Sequence, residues 1–87
     1  MINAIQTIID QEVALAIPAA HLTPRADLYA LGLSSFDAIR LLVAIERAFK
    51  VELPREMLKR ETVASIASIA KAVAAAKPAQ AEIRLAA

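Results

Sequence analysis

Apolar residues at Ile2, Ile5, Ile8, Ile9, Val13 and Ala16 recur at three- and four-residue steps, the period of a helix and not of a strand. The pattern predicts a first helix from about Ile2 to Ala16, stopped by Pro18. Residues 17–33 then read as a long irregular connection, broken by Pro18 and Pro24 and punctuated by Gly32. Leu22, Leu28, Leu31 and Leu33 are its expected anchors to the core. A connection of that length in a small domain is often functional. A second helix is predicted over Ser35–Phe49, with Ser34 as N-cap and Asp37 three residues on. Val51–Leu53 leaves that helix, and Pro54 opens a short helical turn over about 55–60. Thr62 is the expected cap of a last helix carrying Val63, Ile66, Ile69, Ala70 and Val73 on one face. Pro78 marks its end. The expectation is a small all-α four-helix bundle, three main helices plus one short one, with a long first loop and no strand pattern. Residues 1–77 form the domain, and 78–87 are expected to be a flexible tail.

The second helix carries more apolar surface than a core requires. At about 100° per residue, Ala38, Leu41, Leu42, Ile45 and Phe49 gather into one stripe. Phe36, Ile39 and Val43 form another, displaced by roughly a third of a turn or more, while Asp37, Arg40 and Arg47 take the remaining face. Either both stripes are core, or the second stays partly exposed as a contact site beside Ser35.

Composition narrows the functions available. With 87 residues, of which 59% are hydrophobic, the chain makes one domain with an adequate core. It has no cysteine, which removes disulfides, thiolate metal sites and thiol nucleophiles, and its only histidine is His21. A net charge of +1 with a mild acidic-to-basic gradient does not describe a nucleic-acid protein. No basic segment precedes an apolar run, and no uncharged stretch approaches the roughly 20 residues of a membrane span. The expected location is the cytoplasm.

The run Ala26-Asp27-Leu28-Tyr29-Ala30-Leu31-Gly32-Leu33-Ser34-Ser35-Phe36-Asp37-Ala38-Ile39-Arg40-Leu41-Leu42 resembles the acyl and peptidyl carrier protein family. That family's pattern is a Leu-Gly step, two variable positions, a serine, a bulky apolar residue and an amphipathic helix. Leu31-Gly32, Ser35 and Phe36 fill it here. The likeness continues through Ala44-Ile45-Glu46, Phe49, Val51-Glu52-Leu53-Pro54 and Thr62-Val63, covering about residues 26–73. It implies an acyl-carrier-protein-like fold. It also implies that a phosphopantetheinyl transferase attaches 4′-phosphopantetheine from coenzyme A to Ser35. The arm's thiol then holds an acyl or aminoacyl group as a thioester. A helix N-terminus favours such an anionic phosphodiester, and no cysteine is needed because the thiol belongs to the cofactor.

The resemblance further implies a non-catalytic carrier, by default a monomer, visited by a loading ligase and a downstream transferase. Partner docking falls to Phe36, Asp37, Ile39, Arg40, Val43 and Arg47. Where fatty-acid carriers have Asp-Ser-Leu and an acidic second helix, this chain has Ser-Ser-Phe together with Arg40 and Arg47. Enzymes with basic docking patches should bind it weakly, which points to a specialised pathway outside housekeeping fatty-acid synthesis. The Asp27–Phe36 string is similar to stand-alone bacterial carriers, some of which are loaded with amino acids by ligases resembling class II aminoacyl-tRNA synthetases.

Three other readings stand beside this one. A protein-interaction module without a prosthetic group would use the same apolar stripe. A nucleic-acid binder would use Arg55, Lys59 and Arg60, though Glu52, Glu56 and Glu61 are interleaved with them. A hydrolase would need His21, Asp27 and a serine, and nothing in their spacing orients His21.

Overall fold

The computed structural model describes residues 1–78. Three α-helices, α1 (Ile2–Glu12), α2 (Ser35–Phe49) and α3 (Ile66–Ala75), pack around one core. Their inward faces supply Ile5, Ile8 and Ile9 from α1, Ala38, Leu41 and Ile45 from α2, and Ile66, Ile69, Ala72 and Val73 from α3. Full burial of a side chain such as Ile5 or Leu41 contributes about 1.5–3 kcal/mol. Single-turn 3-10 segments at Ala19–His21, Tyr29–Leu31, Arg55–Met57 and Arg60–Val63 fill the connections. The expected fourth helix over 55–60 is therefore only a 3-10 turn, followed by Leu58 with φ −87° and ψ 65°.

The first helix stops four residues short of the expected Ala16, because the long loop folds back onto it. Asp10 Oδ1 accepts the Ala19 N–H at 3.0 Å, and Gln6 Nε2 donates to the Ala19 carbonyl at 3.2 Å. These two side chains satisfy the backbone of the buried Ala19. Val13 turns extended yet still packs against the core, so an apolar residue at helical spacing was satisfied by a non-helical backbone. Leu22, Leu28 and Leu33 are buried as expected, while Leu31 is only half-buried. The loop is tied to the third helix region by Leu28 N–H to the Ala64 carbonyl (2.8 Å) and Ala67 N–H to the Pro24 carbonyl (2.8 Å).

Thr62 does not cap the last helix. It is buried, and its hydroxyl donates back to the Met57 carbonyl. The cap is Ser65, whose Oγ accepts the Ser68 N–H at 3.1 Å while Ser68 Oγ accepts the Ser65 N–H at 3.0 Å. The helix thus begins three residues later, and Val63 enters the core from the preceding turn.

After α2 the chain turns at Lys50 in the left-handed region (φ 55°), and Glu46 Oε2 accepts the Leu53 N–H at 2.9 Å. Two short strands, β1 (Val51–Glu52) and β2 (Lys77–Pro78), pair antiparallel with Val51 opposite Pro78. Two residues carry no readable alternation, so this pairing was invisible as a pattern. The tail expected after Pro78 lies outside the described residues.

Candidate functional site

The loop delivers the chain to α2 through Gly32. Its φ of +111° lies where L side chains are strained, although a Cβ there would meet no atom within 4 Å. Glycine is required by the backbone and not by packing. Leu33 then anchors the approach, its N–H bonded to the Leu28 carbonyl at 3.1 Å.

Ser34 and Ser35 divide the work at the helix start. Ser34 Oγ accepts the Asp37 N–H at 3.0 Å, and Asp37 Oδ2 accepts the Ser34 N–H at 3.3 Å. This is the reciprocal capping arrangement expected from the Ser34–Asp37 spacing. Ser35 is the first residue inside α2. Its side chain is exposed, and its hydroxyl has no hydrogen-bond partner among the described residues. Of the first-turn N–H groups, that of Asp37 goes to Ser34 Oγ and that of Ala38 to the Ser34 carbonyl at 2.9 Å. Those of Ser35 and Phe36 have no partner among the described residues, at the positive end of a helix of 15 residues. An anionic ester on Ser35 fits these surroundings.

The second apolar stripe is exposed. Phe36 is 69% accessible, Ile39 61% and Val43 43%, whereas Leu41 and Ile45 are buried. Leu42 and Phe49, expected in the core stripe, are half-buried at its margin. Arg40 and Arg47 border the groove that Ile39 and Val43 share with Ile8 and Glu12 of α1. Arg40 stands 3.8 Å from Glu12, both side chains well exposed, a pair that contributes about 0–1 kcal/mol. Asp37, expected at the docking face, is half-buried and engaged in the cap. The structure therefore brings Ser35, Phe36, Ile39, Arg40, Val43 and Arg47 onto one exposed tract of α2.

Adjoining that tract at Ser35 and Ile39 is a feature the sequence reading passed over. Leu58, Lys59 and Arg60 form the far wall of a cleft of about 230 Å³ whose near wall includes Ser35, Ile39 and Leu42. Leu58 is half exposed despite being apolar. The available signal was the Met57-Leu58 pair interrupting the charged run from Arg55 to Glu61. Arg60 is held in place by Tyr29: its guanidinium lies 4.1 Å from the ring centroid, and its carbonyl accepts the Tyr29 hydroxyl at 2.8 Å. Burial pushes the Tyr29 phenol pKa up, the Arg60 charge opposes this, and Glu61 and Asp27 add to the rise.

No hydrogen bond among the described residues links His21, Asp27 and a serine. Asp27 Oδ1 accepts the Tyr29 N–H at 3.0 Å, and His21 is exposed in its turn. Among the described residues no cluster of three or more ligating side chains could hold a metal, and no helix is long and apolar enough to cross a membrane.

Comparison with known proteins bears on the same region. Residues 3–73 match the family model of the phosphopantetheine attachment site. The chain is 46% identical over 55 residues to an aminoacyl carrier protein of Agrobacterium fabrum, covering 63% of this chain and 66% of the relative, just under two thirds of its length. It is 32% identical over 68 residues to an acyl carrier protein of Helicobacter pylori, covering 77% and 82%. Among solved structures it resembles one of an engineered Bradyrhizobium japonicum glycine:[carrier protein] ligase complexed with a carrier protein from Agrobacterium tumefaciens and AMP. The TM-score there is 0.80 at 39% identity, covering 85% of this chain and 99% of the matched one. A solution structure of an Agrobacterium tumefaciens protein matches over the full length of both chains, with TM-score 0.65 and 36% identity.

Proposed function

The chain belongs to the phosphopantetheine-attachment family, and from that premise we propose that it is a non-catalytic carrier whose Ser35 bears 4′-phosphopantetheine and presents a small aminoacyl group as a thioester. The observation that carries the choice of serine is the division of labour at the helix start. Ser34 spends its hydroxyl on the Asp37 N–H, while Ser35 offers a free one beside open N–H groups. A phosphopantetheinyl transferase would join Ser35 Oγ to the phosphate of coenzyme A. The hydroxyl proton leaves, and adenosine 3′,5′-bisphosphate is the leaving group. The Ser35 and Phe36 N–H groups at the helix start would favour the negative charge of that phosphodiester. The bound arm supplies the thiol.

The aminoacyl cargo is supported by the likeness to a named aminoacyl carrier protein and to a carrier protein complexed with a glycine:[carrier protein] ligase. The exposed stripe of Phe36, Ile39 and Val43, flanked by Arg40 and Arg47, is the docking surface for the loading ligase and for the transferase that takes the group onward. An interaction module without a prosthetic group would use the same stripe, but it gives no account of the uncommitted hydroxyl at its end.

Intact mass after incubation with coenzyme A and a broad-specificity transferase tests the assignment. The mass should rise by one phosphopantetheine, Ser35→Ala should abolish the rise, and Ser34→Ala should retain it. A full rise in Ser35→Ala protein would remove Ser35 from the proposal. Absence of any rise with the native sequence would favour the interaction module.

A further inference from the structure

Arg40 stands between two hollows formed by α1 and α2 together. One, of about 460 Å³, is a groove with apolar lining from Ile8 of α1 and Ile39 and Val43 of α2, bordered by Arg40, Arg47 and Glu12. The other, of about 430 Å³, is lined by Asp10, Glu12 and Asp37 as well as Arg40. Two of these three carboxylates are committed to the fold. Asp10 accepts the Ala19 N–H at 3.0 Å, and Asp37 accepts the Ser34 N–H at 3.3 Å. Glu12 accepts no hydrogen bond among the described residues and only stands 3.8 Å from Arg40, both side chains well exposed. It is also the last residue of α1, where the negative end of the helix dipole disfavours a carboxylate. Neither capping nor core packing accounts for an acid at that position. Arg47 forms no ion pair among the described residues.

Ile39, Val43 and Arg47 follow one another at four-residue steps, so one face of α2 offers about 12 Å of groove that begins about one turn from Ser35. A partner segment seated there meets hydrocarbon beside two arginines, which selects carboxylates on the partner. Glu12 already holds one of those arginines. We propose that α1 is the second wall of the docking surface, that the groove seats a segment of the loading ligase carrying apolar side chains and carboxylates, and that Glu12 sets specificity by competing for Arg40. Arg47 takes any anionic partner, whereas Arg40 goes only to a partner whose carboxylate displaces Glu12. An exposed pair 3.8 Å apart is weak enough to be displaced. Glu12 is thus a positioning residue that acts through Arg40. The proposal rests on the reading of the chain as a carrier loaded through the α2 stripe, and it adds to that stripe a residue from a different helix.

Steady-state glycine loading of the phosphopantetheinylated full chain by a glycine:[carrier protein] ligase tests it, with intact mass confirming the arm and circular dichroism the fold of each variant. At low salt Glu12→Gln should lower the KM for the carrier about two- to fivefold, the range of one exposed ion pair, with kcat unchanged. The gain should shrink as salt is added. Arg40→Gln should raise KM by a similar factor. In that background Glu12→Gln should change nothing, because the cation under competition is gone. An unchanged or higher KM in Glu12→Gln protein would overturn the role of Glu12, and so would an equal fall in the Arg40→Gln background. Either result, obtained on a chain that is still loaded, leaves the carrier reading intact. A dimer in solution, with KM unmoved by every variant, would give the groove to a second copy of the chain. A chain that carries the arm but is not loaded would overturn the reading on which the proposal rests, and the proposal with it.

Discussion

At position 34 a hydroxyl accepts the N–H of Asp37, and at position 35 the next hydroxyl has no partner among the described residues. One step along the chain thus separates a capping hydroxyl from an uncommitted one; the cap was legible from the Ser34–Asp37 spacing, and Ser35 from its place after Gly32 and before Phe36. Tyr29 shows what was not legible. Nothing in the sequence ties it to Arg60, 31 residues away, yet its hydroxyl donates to that carbonyl and its ring carries that guanidinium. The phenol pKa is raised above 10.0. The folded state therefore holds this proton more tightly than the unfolded chain does. The stability it contributes is complete below the unfolded value and is lost as pH rises through the folded one. Denaturant midpoints measured from about pH 8 to 12 should accordingly hold steady near neutrality and fall in alkali. Tyr29→Phe should be less stable by about 1 kcal/mol near neutral pH and should show a shallower alkaline fall. An unchanged alkaline slope in that variant would assign the fall to other groups.

Among the elements, α2 carries the argument, because its two apolar stripes have different fates. The stripe through Ala38, Leu41 and Ile45 is core, and the stripe through Phe36, Ile39 and Val43 is surface. Ile45 is 1% exposed, so Ile45→Asp would bury a carboxylate without a partner. A loss of about 4 kcal/mol or more is expected, visible as collapse of helical circular dichroism or of the thermal transition. Val43→Asp, at 43% exposure, should change stability by less than about 1 kcal/mol while lowering the rate of ligase loading. Global melting of the Val43 variant would show that the second stripe is needed for the fold. The other helices mark the limits of pattern reading. Helical spacing carried the first helix past Glu12, since an extended Val13 also reaches the core. It began the third too early, since Val63 is buried from a 3-10 turn.

Over the whole molecule, the proposed docking surface is cationic. The tract around the exposed α2 stripe presents Arg40 and Arg47, and the cleft beyond it presents Lys59 and Arg60. An enzyme that docks carriers through a basic patch meets like charge on both sides of α2, which slows encounter and costs specificity. Arg40→Glu combined with Arg47→Glu should therefore raise the rate of acylation by a fatty-acid-type acyl-carrier ligase by up to about tenfold at low salt, with the gain shrinking as salt is added. Glycine loading by a glycine:[carrier protein] ligase should fall in the same variant if its docking surface is acidic. Equal rates for native and variant chains with the fatty-acid-type enzyme would mean that charge on α2 is not the discriminator.

The sequence alone determined the helical class, the span of α2, its cap, and the serine placed just inside it. These depend on local rules, namely apolar period, capping chemistry and the need for glycine at position 32, all of which act within a few residues. It also determined that one α2 stripe was surplus to a core, though not that it lay exposed. Tertiary structure decided that exposure, the early stop of α1, the late start of α3 and the cleft behind Ser35. Each of these depends on segments distant along the chain: Asp10 holding Ala19, Pro24 meeting Ala67, Tyr29 seating Arg60, and Leu58 brought opposite Ile39. Local preferences are written residue by residue, whereas which surfaces end up covered is known only once the chain has folded back on itself.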